Sequence, residues 1–212
     1  MKGLLAGTLT ACLVGLAAPA DAQTSEFMLR GFADIGSTTF AATRSFEAVL
    51  GDARGLVWGG GVEVVLPFPV FVDLRASRFR QTGDRVFLYR GQRYNLGIPT
   101  TVTVIPLTLI GGYRAEVGWR VVPYGGGGIG WHRYRETSRF ADGAEDVDER
   151  FQGYHLLGGA EFRVARRIGT AFEAEWSTVP DALGGDPNGV SREFNQTDLG
   201  GVTYRVKIVI GH

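Results

Sequence analysis

The sequence predicts an all-β fold, an eight-stranded antiparallel up-and-down transmembrane β-barrel. Three observations carry this expectation. Eight stretches alternate apolar and polar residues, as strands with two unlike faces must. The connections between them run long, short, long, short to the end of the chain. An export signal precedes them all.

Residues 1–22 read as that signal: Lys2 starts it, Gly3 to Ala18 form its apolar stretch, and Ala20-Asp21-Ala22 is a small-x-small cleavage site. The apolar stretch is too short to span a bilayer comfortably. Leu9-Thr10-Ala11-Cys12 loosely resembles a lipobox, but Cys12 sits midway through the apolar stretch. Cleavage removes this sole cysteine and leaves residues 23–212 as one barrel domain without thiol chemistry.

The strands are expected at 27–36, 56–66, 70–80, 101–114, 120–134, 153–165, 169–178 and 199–211. The first two carry Arg30, Asp34 and Glu63 among apolar neighbours. The third sets Val72, Leu74 and Ala76 against Asp73, Arg75 and Ser77, and Pro67 and Pro69 make a tight turn before it. The fourth contains Pro106, which lacks a ladder donor, so a bulge is expected there. The fifth contains Gly125 to Gly128, which read as a bend or a close backbone approach. The sixth and seventh carry Glu161, Arg163, Glu173 and Glu175. The eighth sets Tyr204, Val206, Ile208 and Ile210 against Thr203, Arg205 and Lys207.

Short connections at 67–69, 115–119 and 166–168, with long ones at 37–55, 81–100, 135–152 and 179–198, match periplasmic turns and external loops. Compact soluble domains rarely carry four structureless loops of that length.

Alternation does not say which face points inward. A soluble lipocalin-like barrel would bury its apolar face, and a membrane barrel inverts this. The polar face collects Arg30, Asp34, Glu63, Asp73, Arg75, Glu161, Arg163, Glu173, Glu175, Arg205 and Lys207, six acids against five bases. That near-balance suits an ion-pair ladder filling a narrow lumen. Aromatics gather at strand ends. Trp58, Phe79, Trp131, Tyr134, Phe151, Tyr154 and Trp176 lie toward the loops, and Phe27, Phe68, Phe71, Tyr113, Trp119, Tyr124, Phe162 and Phe172 toward the turns. Two such belts are what two bilayer interfaces select.

The segments Pro123 to Gly130, Leu157 to Phe162 and Gly200 to Val206 resemble the small outer-membrane β-barrel domain family, related in architecture to the OmpA and OmpX barrels. The resemblance covers nearly the whole mature chain and implies an outer-membrane location. It also implies that the C-terminal strand is read by the outer-membrane assembly machinery, through Gly201, Tyr204 and Val206. The family usually ends on an aromatic residue, whereas this chain ends Ile210-Gly211-His212.

The chemistry is sparse. His132, His155 and His212 are not spaced as a metal site; His132 has Ser138 and Glu136 nearby in sequence, whereas His155 has no serine at the next inward position. We expect no catalytic residues, cofactor or metal; the alternative is a lipid A-modifying enzyme using His132 or His155. Asp142, Glu145, Asp146, Asp148 and Glu149 lack calcium-loop spacing and read as a solvated loop, pairing with Arg139 and Arg150. Basic and acidic residues number 22 each, so nucleic acid is not an expected partner. Arg44, Arg54, Arg78, Arg80, Arg85, Arg90, Arg93, Arg133, Arg135 and Arg139 fall at or above the outer belt. Guanidinium groups pair bidentately with phosphate, so outer-membrane lipid and lipopolysaccharide are the expected partners. The chain is expected to be a monomer with a structural or surface-interaction role and a side-chain-filled lumen, not a general porin. Phe151, Tyr154 and the third loop are expected contact points.

Overall fold

A β-strand satisfies its backbone only through neighbours, and a sheet closed on itself leaves no edge unpaired. The chain takes that solution. The strands β1 (Met28–Phe40), β2 (Arg54–Val65), β3 (Val70–Tyr89), β4 (Gln92–Arg114), β5 (Val121–Ser138), β6 (Val147–Ala165), β7 (Ile168–Thr178) and β8 (Gly201–Ile210) pair in chain order. All neighbours are antiparallel, and β8 closes on β1 through pairs such as Asp34 with Lys207. The computed structural model describes residues 27–89, 92–115, 120–138, 147–165, 167–185 and 190–211, without the side chains of 87–89 and 92–93. The segment 1–22 expected to be the export signal, Trp119, Arg90, Arg139, Asp142, Glu145, Asp146 and His212 lie outside the described residues.

The two faces fall as a membrane barrel requires. Leu29, Leu74, Leu107, Leu156, Val206 and Ile208 are exposed on the outer wall, while Arg30, Asp73, Arg75 and Glu161 are almost fully buried within. A lipocalin-like interior would need the reverse. Among the aromatics, strand parity overrides position. Trp58, Trp131, Tyr154 and Trp176 face outward near the loop ends, and Phe27, Phe68, Tyr113, Phe162 and Phe172 near the turn ends. Phe71, Phe79 and Tyr124 instead point inward, and Tyr134 and Phe151 pack against the inner core.

The long connections are not structureless. The second is mostly an extension of the β3–β4 hairpin up to Tyr89 and Gln92, with a register shift between Asp84 and Val86. The third likewise prolongs β5 and β6 as far as Glu136 opposite Val147. The first holds the helix α1 (Thr43–Leu50), which ends at Gly51 in the left-handed region that glycine tolerates. The fourth holds the short helix α2 (Val190–Glu193). The first and fourth connections meet over the barrel mouth, where the Ser45 hydroxyl and backbone N–H both lie 2.9 Å from Gln196 Oε1. Beneath them Phe40 stacks on Phe46 at 4.0 Å and meets Phe79 edge-on, with Val104, Val179 and Leu199 filling around them. Apolar surface that would otherwise face water drives this cap.

No bulge forms at Pro106. Ala76 pairs with Leu107 and Phe79 with Val104, so the register is unchanged across it. Pro106 still sits opposite His132 on the β5 side. Around the missing donor the two pairs Ser77–Pro106 and Arg78–Ile105 drop out of the β3 ladder, without an extra residue. The glycine run does mark close approach: a Cβ on Gly126 would stand 2.6 Å from the Gly111 carbonyl oxygen.

Candidate functional site

The lumen holds two ionic clusters separated by rings. The lower one is closed on itself. Arg30 donates through Nη1 to Glu63 at 3.1 Å and through Nη2 to Glu161 at 2.6 Å. Arg114 donates to the same two oxygens at 3.0 and 2.7 Å. Strands β1, β2, β4 and β6 each contribute one member, so the ring ties distant walls of the barrel together.

Above it Phe71, Ile110, Tyr124 and Leu157 form an apolar layer, with Phe71 edge-on to Tyr124. The upper cluster centres on Arg75, which is 1% exposed. Its guanidinium donates to Glu173, to Glu175 at 3.3 Å and to Asp73 at 3.3 Å, and its Nε lies 3.7 Å from Asp34. Lys207 lies 3.3 Å from Asp73 and 3.4 Å from Glu173, and Arg205 lies 3.3 Å from Glu175. The Tyr124 hydroxyl donates to Glu173 at 3.1 Å. Lys207 Nζ also sits 4.0 Å above the Phe32 ring, a cation–π contact. Each buried charge thus meets an opposite one, the condition for tolerating charge away from water.

Of the eleven residues read from sequence as this network, Arg163 is placed half-buried toward the turn end and the other ten are buried. Arg114 was missed. It ends β4 in phase with inward Thr108 and Ile110, and the count of six acids against five bases was the available signal for a sixth base.

The two described histidines point inward. His132 and His155 stack with centroids 5.1 Å apart, and His155 Nδ1 lies 2.8 Å from Glu175. Ser177 is directly across the ladder from His155, but its hydroxyl donates to the Gly201 carbonyl. The rings fit because Gly130 and Gly153 leave their space free. They face the lumen, under the cap, and not the bilayer where a lipid substrate would lie.

The arginines divide. Arg44 lies on α1 with its guanidinium 4.4 Å over Phe194, Arg54 opens β2, and Arg85 sits in the extended hairpin. Arg93 belongs to β4, with its side chain outside the described ones. Arg78, Arg80, Arg133 and Arg135 converge on the outer wall around a groove of about 320 Å³. Asp148 accepts from Arg133 at 2.7 and 2.6 Å and from Arg135 at 2.8 Å, so this acid is an ion-pair partner in that wall.

At the mouth Asp198 binds the fourth connection. It accepts from the Thr178 hydroxyl at 2.6 Å and from the Val179 and Gly200 N–H groups at 2.7 Å. Partial burial pushes its carboxyl upward, but these hydrogen bonds win and hold it below the usual range.

A family model described as outer membrane protein beta-barrel domain matches residues 8–203. Among solved structures, the outer membrane protein OprG from Pseudomonas aeruginosa is similar over 89% of this chain and 96% of that one, at 15% identity and a TM-score of 0.56. The N-terminal β-barrel domain of OprF from the same organism aligns over 88% of this chain and 100% of that one, at 10% identity and a TM-score of 0.48. At 15% identity the likeness to OprG is one of fold. No curated protein matches the chain.

Proposed function

The chain belongs to the outer membrane protein β-barrel domain family, and from that premise we propose that it is a non-enzymatic barrel with a structural or surface-interaction role and a lumen closed to solutes. Residues 1–22 act as its cleavable export signal, β8 is read by the assembly machinery, and the barrel works as a monomer in the outer membrane. Its outer wall contacts the surrounding lipid, lipopolysaccharide included.

The observation that carries this reading is the Arg75 cluster between two layers of rings, beneath the Phe40–Phe46 cap. Eight strands leave an interior only wide enough for side chains, and here the charges are paired with one another. Hydrated sugars or ions would have to break several buried ion pairs to pass. The inward setting of His132 and His155 supports leaving lipid chemistry aside.

Liposome swelling tests it. Vesicles loaded with the refolded barrel should swell in small sugars no faster than empty vesicles, with no steady ohmic conductance in planar bilayers. Rapid swelling would make the protein a diffusion pore and overturn the closed-lumen reading.

A further inference from the structure

Two rows of outward side chains cross four adjacent strands just above the apolar band. In the upper row Arg80 pairs with Thr103, Thr103 with Arg135, and Arg135 with Asp148. In the lower row Ile105 pairs with Arg133, and Arg133 with Arg150, while Arg78 lies on β3 two residues before Arg80. Five guanidinium groups therefore share one wall with a single carboxylate in register.

That carboxylate serves only part of the wall. Asp148 bridges Arg133 and Arg135. Arg78 Nε is buried without a hydrogen-bond partner, and neither Arg80 nor Arg150 makes an ion pair among the described residues. Arg133 and Arg150 stand directly opposite each other, and like charges so placed on neighbouring strands are destabilising. A wall built this way calls for an external anion.

The wall also shows what kind of anion fits. Its groove of about 320 Å³ is lined by Arg78, Arg80, Arg133 and Arg135 together with Thr101 and Thr103. It holds roughly ten water molecules' share of liquid volume, far more than a free phosphate fills. Its floor is Ile105, which continues downward into the exposed Leu107 and Leu109. Trp131 lies two residues below Arg133 on the same face, about 7 Å along the strand. Guanidinium groups one step above an aromatic belt, over an apolar wall, match a phosphate carried on acyl chains.

We propose that the outer wall of β3 to β6 docks the phosphorylated headgroup of a lipopolysaccharide-type lipid, through Arg78, Arg80, Arg133, Arg135 and Arg150. The proposal rests on the outer-membrane reading above and names the lipid contact that reading leaves general. The acyl chains lie along Ile105, Leu107 and Trp131, and the phosphate takes over donors that Asp148 now engages.

Native mass spectrometry of the detergent-refolded protein tests it, using purified rough-type lipopolysaccharide and the same lipid stripped of phosphate. The triple variant Arg78→Gln, Arg80→Gln, Arg133→Gln should bind the intact lipid at least about tenfold more weakly, since the loss of even one charge-assisted bond is worth roughly a factor of ten. Asp148→Asn should bind it more tightly, and the stripped lipid should bind the wild type about tenfold more weakly. Equal binding of both lipids to the wild type would overturn the proposal, as would a triple variant binding within about twofold of it. Saturation by inorganic phosphate alone, as tightly as by the lipid, would make the occupant a free anion and also overturn it. Each protein is run unboiled and boiled on a detergent gel. A wild type without a mobility shift would count against the membrane-barrel reading itself, whereas shifted proteins that ignore the phosphate sink only the docking site.

Discussion

Arg30 and Arg114, on strands β1 and β4, clasp the same two carboxylate oxygens, one from Glu63 and one from Glu161. Neither arginine is redundant. Two buried carboxylates with one guanidinium between them would leave a net charge in a low-dielectric interior, which costs more than the lost hydrogen bonds alone.

Arg114→Met is therefore expected to destabilise the barrel by about 3–5 kcal/mol. Urea unfolding in lipid vesicles, followed by the gel shift, measures it. Adding Glu63→Gln to that variant should recover part of the loss by restoring neutrality. A single-variant cost below about 1 kcal/mol would mean that water reaches the ring and solvates it.

The glycines divide by the face they occupy. A Cβ at Gly153 would stand 2.9 Å from His132 Cε1 and 2.7 Å from Val179 Cγ2, whereas one at Gly111 would meet nothing within 4 Å. Gly153→Ala should cost about 1–3 kcal/mol through overpacking. Gly111→Ala should change stability by no more than about 0.5 kcal/mol. Equal effects in the same unfolding assay would refute the inward placement of the histidine stack.

Asp198 gives the mouth a pH dependence of definite sign. Its folded pKa lies below the unfolded value of about 3.9. A depressed carboxylate contributes stability that is present above the unfolded pKa and lost as pH falls through the folded one. Amide exchange at Val179 and Gly200, corrected for intrinsic rates, should show steady protection between pH 5 and 8, falling below about pH 4. In Asp198→Asn that acid-side fall should disappear. Persistence of the fall in the variant would assign it to another group.

Trp58, Trp131 and Trp176 all face outward at the loop end. In a Trp119→Phe background, lipids brominated on their acyl chains near the headgroup should quench most of the fluorescence. Aqueous iodide should quench little. The opposite pattern would place these rings in water and deny the belt.

Much of the barrel is legible as a sequence because its two constraints are local. Alternation at Val72 to Ser77 and at Thr203 to Ile210 exposes the strand period directly. The lengths of the connections reveal the up-and-down order. The exceptions are also local in origin. Phe79, Tyr134 and Phe151 lie near the loop ends as belt residues do, yet parity turns them into the barrel or onto its cap. The extended β3–β4 hairpin was hidden because residues 81–100 read as a loop, while Thr101, Thr103 and Ile105 go on alternating with Val102 and Val104.

The candidate sites were legible as residue types and not as partnerships. The arginine collar names four members of the outer groove, but Arg150 was assigned to a solvated acidic loop. Only the register between β5 and β6 sets it against Arg133.

By itself the sequence determined the strand period, the polarity of the two faces and the balance of charge, since each follows from side-chain identity at fixed spacing along one strand. The tertiary structure alone decided that Arg114 joins Glu63 and Glu161, that His132 stacks on His155, and that five arginines share one wall. Those contacts depend on register and closure, and a barrel's register is a collective property of eight strands that must all meet their neighbours at once.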